Sequence, residues 1–285
     1  MVRIAIPDGD RREARLVQAT GDANRVSEEG LSQLVECAKL VRIRDEDRWL
    51  SAQYASPLQR QQLLALYTFA TELRRIPLLV SEPPLGEIRL QWWRDELEEI
   101  GEGTVVRRHE VVSPLAGFLD GPAVQSLDAL VAARRWDVYK DPFEDEAHFA
   151  QYIDATSGNL MWVAARALGE VDETVVRDFA YGVGVANWLR AIPDLESRKR
   201  VPSGDGRPEA VALLADGALL RLRGARKHRS KLRGKSGQAL LVGWQAEAVL
   251  QQAAANPGLV AEGALGQSDF QKNLTLMLRS LSGRW

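Results

Sequence analysis

Residues 71–97 read TELRRIPLLVSEPPLGEIRLQWWRDEL, and the helical repeat on both sides of the central prolines decides the fold. The apolar residues that recur at helical spacing before the prolines are Leu63, Leu66, Tyr67, Ala70 and Leu73. Those that recur after them are Leu90, Trp93, Leu97 and Ile100. Such spacing gathers apolar side chains on one face of a helix. We therefore predict two helices, separated by SEPPLGE at 81–87.

The remainder of the chain repeats this pattern. Apolar periodicity continues around Leu127 and through 144–168, 173–190, 208–230, 237–254 and 268–282. The predicted breaks are GEGT at 101–104, DGP at 120–122, PSGDGRP at 202–208 and NPG at 256–258. Alternating strand patterns are missing. The sequence therefore predicts one all-α domain of about eight helices over 29–285, preceded by a polar, loosely ordered extension at 1–28.

Composition limits the function. The 285 residues are 45% hydrophobic and 27% charged with a net charge of -2, which argues against a nucleic-acid binder. A single cysteine, Cys37, excludes an intrachain disulfide and is expected to be buried. No apolar run reaches the ~18 residues of a membrane span, so we expect a cytoplasmic protein that could still touch the inner membrane peripherally.

Several local features have a simpler structural interpretation. The three histidines lack metal-ligand spacing, and Trp92 and Trp93 suit packed helix faces. GVG at 182–184 is typical of close helix packing. The run RLRGARKHRSKLRGK at 221–235 holds eight Lys or Arg. It could attract phosphates or a membrane surface, but a solvated helix face is favoured.

Four stretches in order resemble the squalene/phytoene synthase family of head-to-head prenyltransferases. They are LALYTFATELRRIPLLV at 64–80, LGEIRLQWWRDEL at 85–97, WDVYKDPFEDEAHFAQYIDATSGNL at 136–160 and VANWLRAIPDLESRKRVP at 185–202. The resemblance implies a single isoprenoid-synthase-like bundle of helices around a central cavity. In active members two Asp-rich motifs face each other there, and Mg²⁺ held by carboxylates neutralises the leaving diphosphate.

This sequence departs from the family at both Asp-rich motifs. The first motif's aspartates fall on Arg74, Arg75 and Leu78, and the second motif's acids fall on Ala191, Asp194 and Leu195. A guanidinium has no acceptor for a metal ion. Pro77 and Pro193 lie within the motif turns and each removes a helical hydrogen bond. We therefore assign no catalytic or metal-binding residue and expect no cofactor.

Family position also suggests residues for a candidate substrate cavity. These are Tyr67, Phe69, Arg74, Arg94, Tyr152, Asn187, Trp188, Arg190 and Asp194. We expect a cavity of ~300–1,000 Å³ with mainly apolar and aromatic walls. Arg74 either pairs with a nearby acid, or is solvated, or points inward and closes the old metal site with a salt bridge to Asp194. Arg75 is expected to be solvated or to pair with an acid such as Glu72.

The stretch LVSEPPLGEIRLQWWRDEL at 79–97 is most similar to a branch of the family with degenerate Asp-rich motifs, which includes a mitochondrial complex I assembly factor. The resemblance implies an isoprenoid- or lipid-binding protein, or an assembly factor with a respiratory-chain partner, that lacks Mg²⁺-dependent synthase activity. The alternative is an active prenyltransferase with an altered diphosphate site, which would use Mg²⁺. A membrane-surface adaptor is a third hypothesis.

Overall fold

The computed structural model describes residues 28–104, 109–139, 141–202 and 205–285, with side chains described from residue 35 onward. Apart from residue 28, the predicted N-terminal extension lies outside these ranges. The first helices are α1 Glu28–Arg44, α2 Glu46–Gln53, α3 Pro57–Leu79, α4 Pro83–Glu102, α5 Val112–Ala116, α6 Gly121–Ala133, α7 Arg135–Tyr139 and α8 Glu146–Ile153. They are followed by α9 Asn159–Leu168, α10 Glu173–Ser197, α11 Pro208–Lys227, α12 Gly237–Leu240, α13 Ala246–Ala255, α14 Gly258–Ala261 and α15 Asp269–Ser282.

The all-α prediction is confirmed over the described ranges. About eight helices were predicted, and in these ranges nine helices have ten or more residues while six are shorter. The break predicted at 81–87 is shorter than expected. Helix α4 begins at Pro83, since proline is tolerated in the first turn, where its missing N–H has no helical partner. Helix α3 likewise begins with Pro57, behind a capping box of Ser56 and Gln59.

Helix α10 is the centre of the bundle. It packs against α11, α13 and α9, and α3 packs against α1 and α4. The predicted close packing at GVG is confirmed, since a Cβ on Gly182 would lie 2.7 Å from Leu222 Cβ. A Cβ on Gly184 would lie 2.6 Å from Ile153 Cγ2. Small residues thus allow neighbouring helices to approach α10.

The helix predicted over 144–168 is interrupted by a π-helical turn. Helix α8 passes through Asp154–Gly158 in π conformation and continues as α9. The extra residue of a π turn shifts the helix face, and such turns occur often at functional sites. This turn packs on α10 beside Gly184, so it positions Thr156 and Ser157 toward the site described below.

Both motif prolines lie inside helices, close to their C-terminal ends. Pro77 is two residues from the end of α3, and Pro193 is four residues from the end of α10. Helical conformation continues beyond each proline. The two motif segments therefore remain helical, although each lacks one backbone donor.

Candidate functional site

A cavity of about 460 Å³ opens between α3, the α8–π segment and α10. Its lining residues are Arg48, Arg74, Pro77, Leu78, Arg134, Asp137, Tyr152, Ile153, Thr156, Ser157, Gly184, Asn187, Trp188, Ala191, Asp194, Leu195, Arg198 and Arg200. The cavity's size falls within the range we expected. Its walls are more charged than we expected, because five arginines and two aspartates line it.

The structure brings the two degenerate motifs together. Arg74 and Leu78 of the first motif face Ala191, Asp194 and Leu195 of the second across this cavity. Arg75 is the exception, because adjacent helical residues point about 100° apart. Its guanidinium donates to Glu72 Oε1 at 2.7 Å, so of the two expected outcomes, solvation or pairing with an acid such as Glu72, the structure shows the pairing.

Of the alternatives for Arg74, the salt bridge to Asp194 is wrong and pairing with another acid is what the structure shows. Arg74 Nη2 donates to Asp45 Oδ2 at 2.7 Å, and Asp194 instead accepts from Arg198, just past the end of α10, at 3.0 Å. Asp45 precedes α2 and caps it by accepting from the backbone N–H of Arg48. The cap therefore holds a carboxylate within reach of α3, which sequence position alone did not reveal.

Asp45 lies between two cations. Arg48 Nη1 is 3.0 Å from Asp45 Oδ2, the same oxygen that accepts from Arg74. Burial alone would raise the pKa of Asp45, but the charges of Arg48 and Arg74 outweigh it and hold that pKa below its usual value. Partial desolvation by the surrounding protein and the like charge of Arg48 lower the pKa of Arg74 to about 10, although 41% of its side chain is exposed, so Arg74 stays protonated at neutral pH.

A second charged cluster also lines the cavity. Arg134 Nη1 donates to Asp137 Oδ2 at 2.8 Å and to the Tyr152 hydroxyl at 2.9 Å. Tyr152 in turn donates to Asp137 Oδ1 at 2.9 Å. Arg200 Nη1 donates to the backbone oxygen of Asp137, and its guanidinium lies 4.1 Å from the ring centre of Trp136. Burial raises the pKa of Tyr152, so its hydroxyl remains protonated.

The net charge of this site is positive. The lining holds three more arginines than aspartates, and including Asp45 reduces the excess to two. Of the six motif positions, only Asp194 is a carboxylate, and its side chain is 62% exposed and bound to Arg198. No group of three His, Cys, Asp or Glu that could hold a metal ion occurs in the described ranges. The residues present therefore do not fit the carboxylate cluster that Mg²⁺ requires.

Five of the predicted cavity residues line this space, namely Arg74, Tyr152, Asn187, Trp188 and Asp194. Trp188 and Tyr152 form an aromatic contact with ring centres 5.6 Å apart, and Trp188 is fixed by donating to the backbone oxygen of Pro202 at 2.9 Å. This wall holds aromatic surface directly beside the arginine groups.

The four other predicted residues do not line the cavity. Phe69 is fully buried against Trp93, and Tyr67 is buried beneath the guanidinium of Arg48. Arg94 binds Asp128 through two nitrogens at 2.6 and 3.0 Å. Arg190 pairs with Asp47 at 3.2 Å. Core packing holds Phe69 and Tyr67 outside the cavity lining. An acid from a different helix binds each of Arg94 and Arg190.

Sequence reasoning missed four of the five lining arginines. They are Arg48, Arg134, Arg198 and Arg200. Two of them lie in SRKR at 197–200, directly after the second motif. This cluster of cations, next to a motif that faces the diphosphate site in active members, could have predicted them. Arg48 and Arg134 come from α2 and from the junction of α6 and α7, and no local pattern marks them.

Other predictions can also be compared with the structure. Cys37 is buried, as predicted. In the basic run, Arg221 pairs with Asp178, and both Arg223 and Arg226 pair with Glu247. That result is consistent with the favoured interpretation as a helix face. Among the described residues, no helix is long and apolar enough to cross a membrane.

Comparison with known proteins identifies the family. The sequence profile named squalene/phytoene synthase matches residues 41–202, more than half of the chain. The chain belongs to the squalene/phytoene synthase family. The crystal structure of a dehydrosqualene synthase in complex with ligand superposes with a TM-score of 0.70 and covers 89% of this chain and 96% of that one. At 14% identity, this similarity establishes the isoprenoid-synthase-like fold.

The curated relatives belong to the predicted branch. NADH dehydrogenase (ubiquinone) complex I assembly factor 6 from Bos taurus is 23% identical over 180 residues, which is 58% of this chain and 51% of that protein. The Homo sapiens protein of the same name gives the same identity and coverage. The chain thus spans about half the length of the curated relatives it matches.

Proposed function

We propose that this protein binds an isoprenoid or lipid with an anionic head in the central cavity and lacks Mg²⁺-dependent synthase activity. The observation that carries the proposal is the excess of arginine over aspartate around the two degenerate motifs. Guanidinium groups bind phosphate oxygens through paired hydrogen bonds and need no metal. Leu78, Ile153, Trp188 and Leu195 supply apolar surface for the first part of a hydrocarbon tail.

The same charges argue against a magnesium site. A divalent cation near Arg74 and Arg198 would be repelled, and Asp194 alone offers too few oxygens for it. Prenyl transfer in this family depends on metal to stabilise the leaving diphosphate, and arginines replace that help only in part. The expectation of no cofactor therefore remains part of the proposal.

We further propose that ligand binding serves the assembly of a respiratory complex. Support comes from the name of the Bos taurus and Homo sapiens relatives, which are complex I assembly factors. A gene deletion in the native cell, complemented with the wild-type or Arg198→Ala protein, tests this role. Complex I content, measured on native gels, should fall in the deletion strain and be restored fully only by the wild-type protein.

The alternative function is an active prenyltransferase with an altered diphosphate site. The positive cavity favours it as well, because the arginines could anchor a diphosphate. Incubation with farnesyl or geranylgeranyl diphosphate, with and without Mg²⁺, separates the two hypotheses. A metal-dependent head-to-head C30 or C40 product would establish the alternative and overturn our proposal.

Calorimetric titration with inorganic diphosphate tests the anion site itself. Wild-type protein should bind without Mg²⁺, and Arg198→Ala should weaken binding roughly tenfold. Arg94→Ala is the matched control, because its side chain is 41% exposed against 42% for Arg198 and each arginine pairs with one aspartate. Binding that requires Mg²⁺, or equal loss in both variants, would contradict the proposal.

A further inference from the structure

Helix α15 exposes an apolar stripe on the surface of the protein. The stripe consists of Phe270, Leu274, Met277, Leu278 and Leu281. These positions follow the spacing i, i+4, i+7, i+8 and i+11, which gathers them within about 100° of the helix circumference. Phe270 is 75% exposed and Leu281 is 77% exposed, so the two ends of the stripe are almost fully open.

The stripe faces away from the body of the protein. Helix α15 is anchored by Leu276, its single buried residue, which packs with Leu241, Trp244 and Leu50. At 100° per residue, Leu276 points to the side of the helix opposite Leu281. Arg279, also on the inner side, binds the backbone oxygen of Trp285 and lies 3.5 Å from Glu247. The helix therefore attaches through Leu276 and Arg279 and presents its apolar stripe outward.

Positive charge and an exposed tyrosine lie at the C-terminal end of this helix. A hollow of about 220 Å³ is lined by Arg279 and Arg284, by Tyr54, and by Lys235 from the basic run. Lys235 and Arg284 are exposed, and neither forms a salt bridge with another residue of the described ranges. Cations and a tyrosine at the end of a helix with an exposed apolar face match the chemistry of the boundary between lipid headgroups and acyl chains.

We propose that α15 docks on the surface of a bilayer that contains anionic lipids, with its stripe among the acyl chains and Lys235 and Arg284 at the headgroups. A second copy of the chain fits the stripe less well. Fourteen helical residues span about 21 Å. A strip of that length and one helix wide is much smaller than the ~800 Å² that each partner buries in a standard interface. This surface is separate from the cavity, so either proposal can fail alone.

Vesicle co-sedimentation of the full chain tests the docking surface. The probes are phosphatidylcholine vesicles and vesicles in which about a third of the lipid is phosphatidylglycerol. The stripe variant is Phe270→Gln, Leu281→Gln. Its matched control is Leu213→Gln, Leu220→Gln, since these residues of α11 are 71% and 75% exposed. The charge variant is Lys235→Glu, Arg284→Glu.

Wild type and control should bind the anionic vesicles alike. The stripe variant should lose at least about tenfold in apparent affinity, and the charge variant should lose its preference for anionic over neutral vesicles. Circular dichroism confirms that each variant is folded, which is expected because only exposed side chains change. Wild-type protein that stays in the supernatant, or a stripe variant that binds like the control, overturns the proposal. A dimer in sedimentation velocity that the stripe variant abolishes would assign the surface to a second copy instead.

Discussion

Arg74 Nη2 lies 2.7 Å from Asp45 Oδ2, so the arginine of the first degenerate motif that lines the cavity pairs with the cap of a short preceding helix and not with the second motif. Arg48 shares the same carboxylate. Two cations on one anion leave a net positive charge at this end of the cavity. The arrangement keeps the arginines in place while leaving capacity to attract a further anion.

A double-mutant cycle should detect this pairing. We expect Arg74→Ala and Asp45→Ala to couple by about 1 kcal/mol, because the Arg74 side chain is 41% exposed to the open cavity and solvent weakens the interaction. Arg74→Ala and Asp194→Ala should couple by about zero. Urea unfolding measures both cycles, and the reverse order of coupling would contradict the structure.

The pH dependence of stability should reveal the charge on Asp45. Its pKa is lower in the folded protein than its usual value, so its ion pairs stabilise the fold above the unfolded pKa. That contribution is lost as pH falls through the folded pKa, below pH ~4. Asp45→Asn should therefore lower stability at pH 7 and reduce the further loss between pH 4 and 2. Thermal unfolding at each of these pH values measures the effect, and an unchanged acid response would argue against the ion pairs.

Removal of the Tyr152 hydroxyl should weaken the second charged cluster of the cavity. Tyr152→Phe takes a donor from Asp137 and an acceptor from Arg134 in a buried cluster. We expect a loss of about 1–3 kcal/mol in the free energy of unfolding. Tyr54→Phe is the control, since Tyr54 is exposed, and it should change stability by less than about 0.5 kcal/mol. Equal effects of the two substitutions would show that the cluster contributes little.

The close approach at the π turn should make Gly184 intolerant of a methyl group. A Cβ there would meet Ile153 Cγ2 at 2.6 Å and Ser157 Cβ at 2.9 Å. Gly184→Ala should destabilise the protein by about 1–3 kcal/mol. Gly217→Ala in α11 has open space around it and should be neutral or stabilising by up to about 1 kcal/mol. Denaturant titration compares them, and a neutral Gly184→Ala would mean that the turn can shift.

Local pattern was sufficient for the helices and for part of the site. Apolar spacing over 63–73 and 90–100 predicted α3 and α4, and GVG predicted close packing around α10. The family resemblance predicted that Arg74 and Asp194 would share a cavity. The prediction failed where one residue type has two roles. Pro83 lies in the break predicted at 81–87, yet it begins helix α4.

By itself, the sequence determined the helical class, the family and the loss of carboxylates from both motifs, because periodicity and residue type are properties of the chain read in order. Only the tertiary structure decided which charges meet. The partners Arg74 and Asp45 are 29 residues apart, and Arg190 and Asp47 are 143 apart. Such pairs depend on how helices pack and on which side chain a neighbouring helix brings within about 3 Å. A helical repeat defines a face but carries no information about the residue opposite it.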